Sequence, residues 1–392
     1  VSSPSPGPGA PGAPGSGPYK VMVVDDSAVI RGLIRRWLEE DPEIQVIAAV
    51  GNGVQALQQV ARTPPEVMVL DIEMPEMDGM TALPQLVRAV PDVRVIMAST
   101  LTARNAQISM EALAKGAADY IPKPSSQKDL HGSDFFRNEL REKVKAHGAQ
   151  KRRRAGQPQP SPVARPSASA PGAAAPAASP AARYMPGQVV LRPRPPVMPK
   201  PDVLAIGSST GGPQALFAVF EVLKNQVKVP ILITQHMPGT FTAILAEHIA
   251  KASGAPCAEG KDGEVVEGGK IYVAPGDWHM VVAVEGGKKV IRLNQDPPEN
   301  FCRPAVDPMF RSICAAYGPK VLSVVLTGMG QDGLLGGKKI IEAGGTMLAQ
   351  DEASSVVWGM PGAVATAGIC SAVLPIKDMG GAVLKGLQGI LP

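Results

Sequence analysis

The sequence predicts an α/β protein built on two parallel sheets, one in each half of the chain. Three observations carry this. Short β-branched runs alternate with helical periods from residue 19 to about 147, and again from residue 202 onward. The runs read as apolar throughout rather than alternating, as strands covered on both faces do. A Pro/Ala-rich stretch separates the two series, and 392 residues exceed what one compact core usually holds.

Residues 1–18 contain six Pro and five Gly and are expected to be a disordered tail. The first series then reads KVMVV (20–24) as strand, 28–40 as helix, EIQVIAAV (43–50) as strand and 54–62 as helix. VMVL (67–70) is a strand, 80–90 a helix, VRVIMA (93–98) a strand and 105–115 a helix. ADYI (118–121) is a short strand, and 135–147 a last amphipathic helix. Residues 148–199 are expected to be a basic linker; twelve Pro and eleven Ala fall in 151–199, and a flexible chain of that length reaches roughly 40 Å. The second series spans 200–392. VLAIG (203–207) is a buried strand, 213–223 a helix, VPILITQ (229–235) a strand and 240–251 a helix. KIYVAP (270–275) and 280–293, the latter with a Gly-Gly turn, read as hairpin-like runs. A helix near 307–317, VLSVVLTG (321–328) as strand and a helix over 334–343 follow.

Charge and cysteine content narrow the function. The net charge is +4, but eight basic and no acidic residues lie between Lys151 and Pro199, which leaves the rest of the chain at −4. Mildly acidic folded parts argue against a nucleic-acid partner. The four cysteines, the first at Cys257, lack C-x-x-C spacing, which reads as reduced thiols rather than a zinc site. No apolar run has the ~18 residues of a membrane span, and the first residues lack the order of a signal peptide. A cytoplasmic protein is expected.

In the first series, Asp25 and Asp26 follow the first strand and Asp71 ends the third. Carboxyl ends of parallel strands share one edge, so three carboxylates should converge there. Mg²⁺ suits such a site, and a carboxylate can accept a phosphoryl group. Ser99 and Lys123 follow the fourth and fifth strands and reach the same edge, where a hydroxyl and an ammonium suit phosphoryl oxygens. VMVVDDSAVIR, VMVLDIEMPEMDG and DYIPKP resemble a two-component receiver domain of flavodoxin-like fold, from residue 19 to about 125. The resemblance implies phosphorylation of Asp71 by a histidine kinase. It also implies Mg²⁺ held by Asp25, Asp26 and Asp71, phosphate contacts from Ser99 and Lys123, and a state-dependent ring at Tyr120.

In the second series, AIGSSTGGPQA (205–215) is a strand, a Gly-rich turn and a helix, and Gly207–Gly211 matches G-x-S-x-G. Such a turn can hold a serine hydroxyl at its tip, with the helix N-terminus behind it for an oxyanion. It could also cradle a phosphate, but dinucleotide and Walker spacings are absent. His236 directly follows the next strand and Asp332 the strand at 321–328, so both reach the edge of Ser209. Ser208 is the rival nucleophile. His248 reads as a surface residue or as helix packing, and His279 as a residue near the site without an acid partner. IGSSTGG, ITQHMP, YVAPGDWHM, RPAVD, LTGMGQDG and AQDEASSVVWGMP resemble the effector domain of chemotaxis protein-glutamate methylesterases, the CheB family.

That resemblance implies a doubly wound α/β methylesterase domain with an added β-hairpin, acting on glutamate methyl esters and also glutamines of methyl-accepting chemoreceptors. It implies Ser209 as nucleophile, His236 as base, Asp332 as its orienting acid, and Thr210 and the Met329 backbone near the oxyanion, with no cofactor for this reaction. Ala305, where the family usually has Ser, and Phe301-Cys302 depart from its pattern. Recruitment to receptor arrays and a phosphorylation-controlled inhibitory receiver are expected. The alternative from another class is a non-catalytic response regulator whose second half only docks on receptors.

Overall fold

The structure, a computed structural model, describes residues 17–100, 102–123, 134–157, 188–193 and 199–390. The expected tail up to residue 16 and most of the expected linker, 158–187 and 194–198, lie outside the described residues. The chain divides into two compact units.

The first sheet uses β1 (Tyr19–Val24), β2 (Ile44–Val50), β3 (Val67–Asp71), β4 (Arg94–Thr100) and β5 (Asp119–Lys123) in the order β2-β1-β3-β4-β5. β1 pairs parallel with both β2 and β3, and β5 parallel with β4. β3 is buried along its whole length and β1 at every residue but Lys20, which is why both read as apolar runs. The helices α1 (Ala28–Glu39), α2 (Gly53–Arg62), α3 (Gly79–Ala89) and α4 (Ala103–Ala114) start where Ser27, Asn52, Asp78 and Thr102 each cap a backbone N–H. This is the five-stranded parallel sheet expected of the first half.

The last helix of this half, α5 (Asp134–Arg154), corrects two expectations. It runs seven residues past the expected end at His147, so residues 148–154 are helix and not part of the expected basic linker. Gly148 does not stop the helix; a Cβ there would stand 2.5 Å from the Tyr19 ring, so the glycine permits close packing. Arg152 is buried and fixes the helix end. It bonds Glu66 through Nε at 2.5 Å and a second nitrogen at 2.7 Å, donates to the carbonyls of Gly17 and Pro18, and lies 4.4 Å over the Tyr19 ring.

The second sheet has seven parallel strands. They are β6 (Val203–Ser208), β7 (Ile231–Gln235), β8 (Cys257–Glu259), β9 (Ile271–Val273), β12 (Val321–Val325), β13 (Thr346–Gln350) and β14 (Ala372–Leu374). Their order is β14-β13-β12-β6-β7-β9-β8. The first strand in sequence lies between β12 and β7, so the chain winds outward both ways and leaves a crevice at the carboxyl ends of these three strands. The helices are α6 (Gly212–Leu223), α7 (Gly239–Ser253), α8 (Val306–Tyr317), α9 (Leu334–Glu342), α10 (Met360–Thr366) and α11 (Ile376–Leu387). The added hairpin is β10 (His279–Glu285) with β11 (Lys288–Asn294), turned at Gly286 and Gly287, both of positive φ. KIYVAP is not part of a hairpin. β9 lies parallel to β7 inside the main sheet, because its three residues are buried on both faces. The second half also begins before residue 200: Leu191 bridges Cys370, and Arg192 donates to the carbonyls of Cys370 and Gly345.

Candidate active site

The crevice is built by chain reversals at the ends of three adjacent strands. After β6 the chain must turn within a few residues to enter α6. Gly211 (φ 73°) makes that turn in the left-handed region, where Val356 leaves no room for a Cβ. Ser209 is half-buried just before it, and its N–H donates to the Thr327 carbonyl at 3.0 Å. Ser208, the rival, is fully buried with its hydroxyl on Gln235 Oε1 at 2.7 Å. The Gln235 amide in turn donates to the carbonyls of Ser209 and His236 at 2.9 and 3.1 Å. One side chain thus ties the end of β7 to the Ser209 turn, a role the sequence did not reveal. The geometry favours Ser209 over Ser208 as the available hydroxyl.

His236 follows β7, and its N–H donates to the Ser208 carbonyl at 3.1 Å. Its Nε2 lies 2.7 Å from Asp332 Oδ2. Asp332 is fully buried and accepts from the N–H groups of Val306 (2.6 Å), Asp307 (2.9 Å) and Gly333 (3.0 Å). Those donors include the free N–H groups that open α8, so a buried carboxylate is compensated at a helix N-terminus. Burial pushes the Asp332 carboxyl up, but the hydrogen bond from His236 and these N–H groups hold it below the ordinary range. Burial alone would lower His236; the neighbouring Cys302 sulfur and Asp332 outweigh it and raise the imidazole to about 10. Asp307 is raised to about 6, by burial first and then by the charge of Asp332.

The expected oxyanion residues flank the same turn. Thr210 is buried, and its carbonyl accepts from Thr327 Oγ1 at 3.0 Å. Met329 follows Gly328, where a Cβ would stand 2.8 Å from Ser209 Cβ; only glycine lets this backbone come so near Ser209. Neither ring nitrogen of His279 is bonded to Ser209, His236 or Asp332. It is buried, and its ring accepts from Ala305 N–H at 3.2 Å and reaches the Pro297 carbonyl at 3.3 Å, which braces the loop before α8. His248 packs on Phe217, centroids 5.9 Å apart, as helix packing requires. All four cysteines are free. Sequence reasoning noted Cys302 only as a departure and missed its place beside His236; it did not single out Asn300 or Asp307. The one signal available was their position in and just before RPAVD.

In the first sheet, ligand oxygens of Asp25, Asp26 and Asp71 all lie within 4.8 Å of one another, and this cluster could hold a metal ion. Asp25 is braced by the Ser27 N–H at 3.0 Å, and Asp71 by the Ile72 N–H at 2.8 Å. Ser99 and Lys123 are buried at the carboxyl ends of β4 and β5, where Ser99 pairs with Pro122 and Thr100 with Lys123 in register. The Ser99 hydroxyl lies 3.1 Å from that of Ser109. The Tyr120 ring is buried.

Comparison with known proteins finds a family match in each half of the chain. The profile of the family described as CheB methylesterase matches residues 204–383, and that of the response regulator receiver domain residues 21–133. The chain is 57% identical over 374 residues to the protein-glutamate methylesterase/protein-glutamine glutaminase of group 2 operon of Rhodospirillum centenum, spanning 95% of this chain and 94% of that one. It is 58% identical over 379 residues to the protein-glutamate methylesterase/protein-glutamine glutaminase of Azospirillum brasilense, with 95% and 94% spanned. The crystal structure of the Thermotoga maritima CheB methylesterase catalytic domain is 37% identical, with a TM-score of 0.46, over 47% of this chain and 98% of that one.

Proposed function

This chain belongs to the CheB methylesterase family, and on that premise we propose that Ser209, His236 and Asp332 hydrolyse glutamate methyl esters on methyl-accepting chemoreceptors. The chain is an enzyme, a chemotaxis response regulator with a hydrolase half. The relatives carry enzyme names, which speaks against the docking-only alternative. The observation that carries the proposal is the 2.7 Å contact of His236 with a buried, N–H-compensated Asp332 beside the Ser209 turn.

With Nε2 committed to Asp332, His236 Nδ1 is the nitrogen that takes the Ser209 proton. The Ser209 oxygen attacks the ester carbonyl, and the oxyanion is held by backbone N–H groups at Thr210 and Met329. His236 returns the proton to the departing methoxide, methanol leaves, and water hydrolyses the glutamyl-serine ester by the same route in reverse. Asp332 keeps the tautomer and stabilises the imidazolium. A glutamine side chain follows the same path and releases ammonia. The Ser209→Ala chain is expected to lose methanol release from methylated receptor by on the order of 10⁴–10⁶. Activity within tenfold of wild type sinks the assignment. Receptor mass spectrometry reads the chemistry directly, since each de-esterification removes one methylene.

The receiver half prepares the switch. Three hard oxygen donors in one cluster suit Mg²⁺, which Asp25, Asp26 and Asp71 would hold. When bound, that ion offsets the charge of a phosphoryl group arriving at Asp71. Lys123 and Ser99 then contact its oxygens. The phosphodonor is a chemotaxis histidine kinase, and the protein acts in the cytoplasm at receptor arrays; no helix among the described residues is long and apolar enough to cross a membrane.

A further inference from the structure

We propose that Asn300 is a positioning residue of the esterase: its side-chain amide bridges the Asp332 and Asp307 carboxylates and fixes the oxygen that Asp332 turns toward His236. The inference rests on the triad reading above. Asn300 Nδ2 lies 3.2 Å from Asp332 Oδ1 and 3.4 Å from Asp307 Oδ2. The other Asp307 oxygen is taken by the Gly336 N–H at 2.7 Å. Two neighbouring carboxylates repel, and an NH₂ group with two hydrogens can serve both at once.

The turn that carries Asn300 is shaped for this task. Glu299 and Cys302 exchange both backbone hydrogen bonds, at 3.2 and 2.9 Å, so Asn300 and Phe301 form its two corners. Both corners are left-handed, with φ of 51° and 63°. Asn tolerates that region; Phe does not readily, and here it projects 72% exposed. Arg311 of α8 grips the Glu299 carboxylate with two hydrogen bonds, 2.9 and 2.5 Å, and holds the strained corner against the start of its own helix. The charged and titratable groups facing the cluster are His236, Asp332, Asp307, Arg311, Glu299 and Cys302.

Loss of the amide leaves more of the Asp332 charge acting on His236, which then keeps its proton to higher pH. The test uses the full chain and methylated receptor, with kcat and KM measured against pH. Asn300→Gly suits the positive φ, so the turn survives and only the amide is lost. Its acid limb is expected to move up by about half to one pH unit, a 3- to 10-fold loss of kcat/KM below the limb, with KM unchanged. Asn300→Asp, also at ease in this conformation, replaces a donor with an anion and should move the limb further the same way. An imidazole NMR titration, with five histidines to assign, should show His236 shifting in parallel without reference to turnover. An unmoved limb and titration in Asn300→Gly, or a downward shift in Asn300→Asp, overturns the proposal. If Ser209→Ala is dead while Asn300→Gly titrates like wild type, only the role of Asn300 falls. If Ser209→Ala stays active, the triad falls and takes this role with it.

Discussion

A general base works only in its neutral form, and two neighbours of His236 favour its charged form. The sign follows directly. A raised imidazole pKa means that the deprotonated fraction grows with pH beyond the ordinary value near 6.5, so activity is expected to climb through neutrality instead of levelling off. Cys302→Ala removes one of the two neighbours and should bring the acid limb of kcat/KM down toward the ordinary imidazole range. Initial rates of methanol release from about pH 6 to 10 measure it; a limb that stays or rises would show that the sulfur does not act on the base. His236 and Asp332 were legible in the sequence because each sits just beyond an unmistakable strand. Cys302 and Asn300 were not. They lie on a short aperiodic turn whose place is set by the Arg311–Glu299 ion pair, a contact that no local pattern announces.

At the scale of elements, α5 shows what one buried pair does. Glu66 is held below the ordinary carboxylate range: burial works against ionisation, and the Arg152 bonds and the Lys20 N–H overcome it. The stability that this pair contributes is present above the unfolded pKa and is lost as pH falls through the depressed value of Glu66. Arg152→Met strands that carboxylate and should cost the receiver half about 3 kcal/mol. Urea unfolding and hydrogen exchange along α5 check this; a loss confined to the last turn, with the sheet unaffected, would mean that the pair merely trims a frayed end. The same scale explains what the sequence concealed. β1 to β4 and the centre of the second sheet show as apolar runs; β5 is short and begins and ends on a charge, so its expected bounds, 118–121, miss its last two residues. β8, β9 and β14 have three residues each, too few to display a period. α10 has seven residues, rich in Gly and Ala, and is buried almost throughout, so it shows no apolar stripe.

For the whole molecule, the proposal makes phosphorylation at one sheet edge the control of chemistry at another. Asp71→Asn should leave the esterase able to turn over but deaf to a phosphodonor with Mg²⁺. Wild-type methanol release should rise under those conditions, and an equal rise in the variant would relocate the acceptor. The segment at 190–192 also bears on how such a protein can be taken apart. Leu191 and Arg192 form a clasp on the strand-edge loop at Cys370 and on the turn at Gly345. A chimera that splices a foreign sensor on at residue 200 would discard that clasp along with the native input module, and any fall in its output would be misread as failed signalling. The exchangeable cassette ends upstream of residue 188, and a swap made there keeps the hydrolase half whole.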